Sequence, residues 1–177
     1  MRIAPAKVLV PLAVLLAAGT LAVGSGATFS SETGNTISTV TSGTLLHTNS
    51  KNGAAIFNLG DFKPGDTLNG SVTITNTGSL PATFSLTELA STNAFTGEYL
   101  KLAIKNTTTN TTVYSGTFGG LTDGQQNPLG LVAAGAANTY TFTVTLAQDT
   151  PNSEQGKSAT ASYQWSSVQQ AATTTNQ

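Results

Sequence analysis

Apolar and polar residues alternate with a period of two along several stretches of this chain, and this pattern restricts the possible folds strongly. In residues 138–146 the apolar positions Tyr140, Phe142, Val144 and Leu146 are separated by single threonines. A period of two places successive side chains on opposite faces of a β-strand, one buried and one solvated. The same alternation occurs at residues 68–77, 82–89, 99–105 and 158–166. We therefore predict an all-β protein.

Shorter apolar stretches and turn signals complete the predicted set of strands. We expect short strands at residues 54–59, 111–114 and 129–132, and a glycine-rich loop with at most one helical turn at residues 118–128. About eight strands separated by turns favour a two-sheet antiparallel sandwich, with either jelly-roll or immunoglobulin-like strand order. Aromatic residues on the apolar faces are expected to form its core, namely Phe84, Phe142, Tyr163 and Trp165.

The N-terminus has the features of a secretory signal peptide. Arg2 and Lys7 give it a positive start, residues 8–23 are apolar, and small residues lead to a cleavage site between Ala27 and Thr28. The alternative is an uncleaved N-terminal anchor. Since no second apolar run follows, we expect a signal helix, secretion to the extracellular matrix or cell surface, and membrane contact only through the uncleaved signal.

These boundaries give the predicted domain organisation. Residues 1–27 are the signal peptide, 28–48 an N-terminal extended segment, 49–168 the β-sandwich domain, and 169–177 a polar disordered tail. The extended segment contains no proline, and its apolar residues are spaced among serines and threonines. Such a segment suits addition to an open sheet edge of another subunit. The anchors that we expect for this assembly strand are Phe29, Ile37, Val40 and Leu45.

Residue types that carry most catalytic chemistry are scarce. The sequence has no cysteine and a single histidine, His47, so thiolate and multi-histidine zinc sites lack their ligands. The acidic residues are scattered, and neither a nucleophile elbow nor a calcium-loop motif occurs. Only 8% of the residues are charged, without a basic patch, which argues against nucleic-acid binding. We expect no enzymatic activity, no metal and no cofactor, and we expect an exposed, non-ligating His47.

Segments spread over most of the mature chain resemble one known family. These are residues 27–31 (ATFSS) with 35–37 (NTI) and 42–45 (SGTL), residues 61–66 (DFKPGD) with 72–82 (VTITNTGSLPA), and residues 152–159 (NSEQGKSA) followed by Tyr163 and Trp165. In this order they are similar to the TasA/camelysin family of exported Gram-positive proteins, which a dedicated signal peptidase processes.

The resemblance implies a jelly-roll subunit of extracellular matrix fibres that assembles by donating its N-terminal strand to a neighbour. Its partners would be further copies of itself or other matrix components, and a signal peptidase during export. Some relatives are described as metallo-endopeptidases, but this sequence lacks a ligand set for that activity. The other interpretation is a monomeric cell-surface module that binds a polysaccharide or protein ligand.

Overall fold

The computed structural model describes residues 29–33, 36–40, 43–57 and 61–170. Over these residues the protein is all-β, with one short 3₁₀ turn at Asn152–Glu154. No helix within the described ranges is long and apolar enough to cross a membrane. The strands are β1 (Phe29–Thr33), β2 (Thr36–Val40), β3 (His47–Asn49), β4 (Thr67–Asn76), β5 (Ala82–Asn93), β6 (Leu100–Asn106), β7 (Thr111–Thr117), β8 (Gln126–Val132), β9 (Ala137–Leu146) and β10 (Ala159–Gln169).

The strands pair as nested antiparallel partners. β6 pairs with β7, β5 pairs with β8 outside them, and β4 pairs with β9 outside those. The resulting sheets are a five-stranded sheet in the order β3-β4-β9-β6-β7 and a three-stranded sheet in the order β10-β5-β8. β1 and β2 form a separate antiparallel pair in which Phe29 lies opposite Val40.

The two larger sheets share one hydrophobic core. The inner face of the five-stranded sheet carries buried residues such as Phe142, and the three-stranded sheet contributes Phe84 and Trp165. Aromatic rings join the two faces, since the Tyr140 and Trp165 ring centroids are 4.7 Å apart and those of Phe142 and Tyr163 are 5.1 Å apart. Of the aromatic residues predicted to be in the core, only Tyr163 is partly rather than fully buried.

Two local predictions differ from the structure. Residues 54–57, the described part of a predicted strand, join no sheet and instead lie against β4. Residues 118–125 form turns without a helix, and β8 begins at Gln126, before the strand predicted at residues 129–132. Pro128 therefore lies inside a strand, which is possible because β8 is at the edge of its sheet.

Asn76, the last residue of β4, has a structural role. Asn76 is fully buried, and its side-chain amide donates hydrogen bonds to the carbonyl oxygens of Leu80 at 2.8 Å and Val132 at 3.0 Å. Its side-chain oxygen accepts a hydrogen bond from the Gly78 amide at 3.1 Å. A side chain at Gly78 would overlap the carbonyl oxygen of Thr44. Asn76 and Gly78 therefore hold the turn into β5 against the segment that precedes β3.

Candidate functional site

The outer edge of β10 carries no neighbouring strand among the described residues. β10 pairs only with β5, through a register that extends over its whole length from Ala159 to Gln169. The strand contains no proline and no charged residue. No strand of the described ranges pairs with the backbone N–H and C=O groups on this side, and such an edge can accept another extended chain.

A cleft with a volume of about 1180 Å³ opens beside this edge. Ala159 and Ala161 of β10 form one wall, and their small side chains leave the space between the sheets accessible. The floor is apolar and includes Leu68, Val144 and Leu146 from the five-stranded sheet. The opposite wall comes from Ala55, Phe57 and Phe62. We call this space the β10 cleft.

His47 lies at the other end of the same edge. Its Nδ1 atom is 3.0 Å from the Ser167 hydroxyl oxygen on β10, and its ring packs edge-on against Phe84 with a centroid distance of 5.5 Å. The expectation of an exposed His47 is therefore wrong: the ring is half-buried because β3 brings it into the gap between the two sheets. His47 closes this end of the gap, whereas the end beside Ala159 stays open.

The rim of the β10 cleft contains a buried glutamate whose hydrogen bonds are satisfied. Glu154 is only 4% exposed, and it accepts hydrogen bonds from the Thr96 amide at 2.9 Å and the Thr96 hydroxyl at 2.7 Å. Lys157 forms an ion pair with it at 2.9 Å. The Thr96 hydroxyl contributes most, and Lys157 next, to lowering the pKa of Glu154 to about 2. Glu154 thus stays ionised, and its hydrogen bonds to Thr96 fix the 3₁₀ turn that precedes β10.

A second buried glutamate lies in the middle of the three-stranded sheet and lacks such partners. Glu88 of β5 is fully buried, and neither of its carboxylate oxygens has a hydrogen-bond partner within the described residues. It lies opposite Tyr163 of β10, whose hydroxyl is also buried without a partner there. Burial raises the pKa of Glu88, an effect that the nearby Ser91 and Tyr163 hydroxyls partly offset and Asp123 reinforces. Burial, with the Glu88 carboxylate beside it, also raises the pKa of Tyr163.

The residues proposed from sequence as cleavage and assembly positions have different locations. Ala27 and Thr28 lie outside the described residues. Phe29 belongs to β1, and Ile37 and Val40 belong to β2. Leu45 instead packs against the core of the body, because the Thr44 amide is held by the Ser79 hydroxyl at 2.8 Å.

Sequence reasoning did not find the β10 cleft. Its walls combine residues that are distant in the chain, such as Phe57 and Ala161, and no local pattern brings them together. The only local signal was the composition of β10, which is apolar on one face and uncharged throughout.

No group of three or more histidine, cysteine, aspartate or glutamate side chains could hold a metal ion within the described ranges. Among the residues that the structure describes, no carboxylate is hydrogen-bonded to the imidazole of His47, which contacts Ser167. Comparison with protein-family models and with curated protein sequences finds no match to this chain.

Proposed function

We propose that this protein is a secreted structural subunit of extracellular or cell-surface fibres, in which each subunit receives an extended strand from a neighbour at the outer edge of β10. The observation that carries the proposal is the nested pairing of β4 with β9, β5 with β8 and β6 with β7. In this series the partner of β10 would be a strand that precedes β4. β3 precedes β4 but pairs with it, so the place beside β10 has no occupant among the described strands.

This pairing supports a jelly-roll order rather than an immunoglobulin-like one. A jelly roll is an eight-stranded double-sheet fold of two Greek keys, in which a long antiparallel hairpin wraps into two sheets. β4 to β10 supply its second to eighth strands in that scheme. The first strand, beside β10, would then come from another molecule.

The chemistry of the edge supports strand addition. An added strand would satisfy the free backbone groups of β10 and direct alternate side chains into the β10 cleft, which is β-augmentation. Ala159 and Ala161 are only partly buried at present, although their inner-facing positions belong to the core. Covering them with apolar side chains from a neighbour would complete that core.

We propose the N-terminal segment as the donor, which would open its β1–β2 pair and bind as an extended strand. Residues 28–40 contain no proline and only one charged residue, Glu32, and they carry Phe29, Ile37 and Val40 as apolar anchors. Leu45 packs in the body, so we assign the donor to residues 28–40 rather than to the whole stretch through Leu45. Cleavage before Thr28 would free this segment from the signal helix, so that processing permits assembly.

This arrangement would produce filaments. A free donor at one place on the subunit and a vacant acceptor at another give a head-to-tail contact, and such contacts generate open filaments when the rotation does not close. The resemblance to the TasA/camelysin family supports the same conclusion. Partners would be further copies of the chain or other matrix components.

Deletion of residues 28–40 from the secreted form tests the proposal. Electron microscopy should show filaments for the mature protein and monomers for the deletion variant. Deletion of the polar residues 171–177 is the matched control and should leave filaments intact. Filaments from the variant without residues 28–40, or a mature protein that stays monomeric at high concentration, would contradict strand donation.

The volume of the β10 cleft favours a second candidate function. An apolar cleft with a polar rim at Lys63 and Glu154 is also the usual form of a ligand-binding site. The protein would then be a monomeric surface module for a polysaccharide or protein ligand. A monomeric mature protein whose melting temperature rises with such a ligand would favour this function over fibre formation.

A further inference from the structure

Residues 54–57 occupy part of the space between the two sheets at the open side. The Phe57 ring lies between two core rings, with centroid distances of 6.2 Å to Phe118 and 6.4 Å to Phe142. Phe142 also contacts Tyr163 of β10 at 5.1 Å. Phe57 and β10 therefore flank the same ring, and Phe57 fills a position that an inner side chain of a strand added beside β10 would approach.

The neighbouring strand is adapted to this segment. Gly70 of β4 lies under it, and a side chain at Gly70 would overlap the Ile56 carbonyl oxygen and come within 3.0 Å of Phe57 Cβ. Gly70 interrupts a strand in which glycine is otherwise unfavourable, because it provides no side chain to pack. The close approach of the 54–57 backbone accounts for its presence.

The segment is held by side chains rather than by a β-ladder. Within the described residues, no hydrogen bond joins the backbone of residues 55–57 to any strand. Ile56 and Phe57 are partly buried and pack on the core. Releasing the segment would therefore expose two apolar side chains, whereas a strand added to β10 gains backbone hydrogen bonds along an edge of 11 residues.

We infer that residues 54–57 are a built-in competitor for the β10 cleft, which occupies the inner space in the free subunit and moves out when a strand is added. The inference rests on the proposed function and extends it to regulation. If the cleft is open in only a fraction of the subunits, its apparent affinity for an added strand is reduced by that fraction. The segment thereby slows addition of the first strand and keeps newly secreted subunits from polymerising at once.

Single-cysteine variants of the full mature chain can test this inference, because the natural sequence contains no cysteine. Ile56→Cys places a thiol on the segment and keeps the Phe57 anchor, and Ala54→Cys is the exposed control. In the free subunit, we expect the Ile56→Cys thiol to react with a maleimide about tenfold more slowly than the control thiol. In filaments the two rates should become equal, and adding Phe57→Ala should equalise them in the free subunit.

Assembly kinetics provide the second measurement. Phe57→Ala should shorten the lag before filament growth about tenfold. Leu129→Ala, which removes a partly buried apolar side chain on the β8 side, outside the β10 cleft, is the matched control and should not shorten it. Gly70→Ala is a second variant that displaces the segment without changing its chemistry, and it should act like Phe57→Ala.

The outcomes separate the two hypotheses. Filaments in which the Ile56→Cys thiol remains protected, or a longer lag for both Phe57→Ala and Gly70→Ala, overturn the competitor and leave the fibre function standing. Absence of filaments from every protein, including the unmodified chain, overturns the fibre function and the competitor together.

Discussion

β8 and β10 flank β5 in the same sheet, yet their outer edges are built differently. β8 has 7 residues, among them Pro128, which cannot donate a backbone hydrogen bond, and Gly130, with a φ of 91° at a register shift. β10 has 11 residues and carries no proline and no charge. Proline and bulges are common devices against edge-to-edge pairing. One edge of the sheet is therefore protected and the other is not.

The β8 side and the β10 side also differ in the width of the gap between the two sheets. Between β7 and β8, the gap is a small pocket of about 200 Å³ lined by residues such as Val113 and Leu129. On the β10 side it is the cleft of about 1180 Å³. Among the described strands, β3 and β7 are also sheet edges, but the gap between the sheets is wide only beside β10. The proposed strand addition at β10 would give a linear chain of subunits rather than a sheet that grows in both directions.

The strongest test of this difference introduces a charge at the open edge. Ala161 faces the β10 cleft, and Ala161→Lys would place an ammonium group where an added strand must pack. We expect complete loss of filaments by electron microscopy, because inward-pointing charges protect edges from strand addition. The monomer should remain folded, since a lysine at an open cleft can extend its charge to water.

The control for this variant is on the protected edge. Leu131 of β8 is 55% exposed, and Leu131→Lys adds the same charge there. Normal filaments are expected from this protein. If Leu131→Lys abolished assembly and Ala161→Lys did not, β8 rather than β10 would be the receiving edge.

A second prediction compares core residues on the two sides by stability. Phe142 is fully buried in the shared core, so Phe142→Ala should reduce the free energy of unfolding by roughly 3–5 kcal/mol. Phe62 lines the open cleft and is only partly buried, and Phe62→Ala should cost about 1 kcal/mol or less. Urea denaturation of both variants gives the values. Equal losses would mean that the open side is packed as tightly as the centre.

The sequence predicted the strands because their signal is local. Alternation in residues such as Tyr140 and Phe142 depends only on neighbours along the chain, and the all-β class with two antiparallel sheets is confirmed. The contact of His47 with Ser167 and the packing of residues 54–57 over Gly70 depend on which strands become neighbours. No local pattern encodes those contacts, so the cleft and the competitor segment emerged only from the structure.

A third prediction concerns β5, the strand that both edges share. The raised pKa of Glu88 means that the folded protein holds this proton more tightly than the unfolded chain does. Its contribution to stability is therefore complete below the ordinary pKa of 4.5 and is lost as pH rises through the higher folded-state pKa. Between pH 4 and pH 8 the natural protein should lose this contribution to its free energy of unfolding, whereas the Glu88→Gln variant should not. Relative to the natural protein, the variant should therefore gain on the order of 1 kcal/mol of stability as the pH is raised over this range.

Denaturation curves at the two pH values measure this gain, and Glu98→Gln is the control because the Glu98 side chain is 79% exposed. A change in stability without a change in filament yield would show that edge availability, rather than overall stability, determines assembly. A Glu88→Gln protein with the same pH dependence as the natural one would mean that Glu88 does not titrate in this environment.

The smallest effect is expected at the rim of the cleft, where Glu154 contrasts with Glu88. Its pKa is lowered to about 2, so the folded state binds the proton less tightly than the unfolded chain. Its contribution to stability is present above the ordinary pKa of 4.5 and is lost as the pH falls from there towards 2. Because Glu154 accepts a hydrogen bond from the Thr96 amide, the chemical shift of that amide should titrate with its midpoint at the folded-state pKa of about 2. Glu154→Gln should remove this titration and leave the amides of β8 unchanged, since only the open side depends on this carboxylate. Titration of β8 together with Thr96 would show that the two sides of the body respond as one unit, and the contrast between them would then apply to strand addition alone.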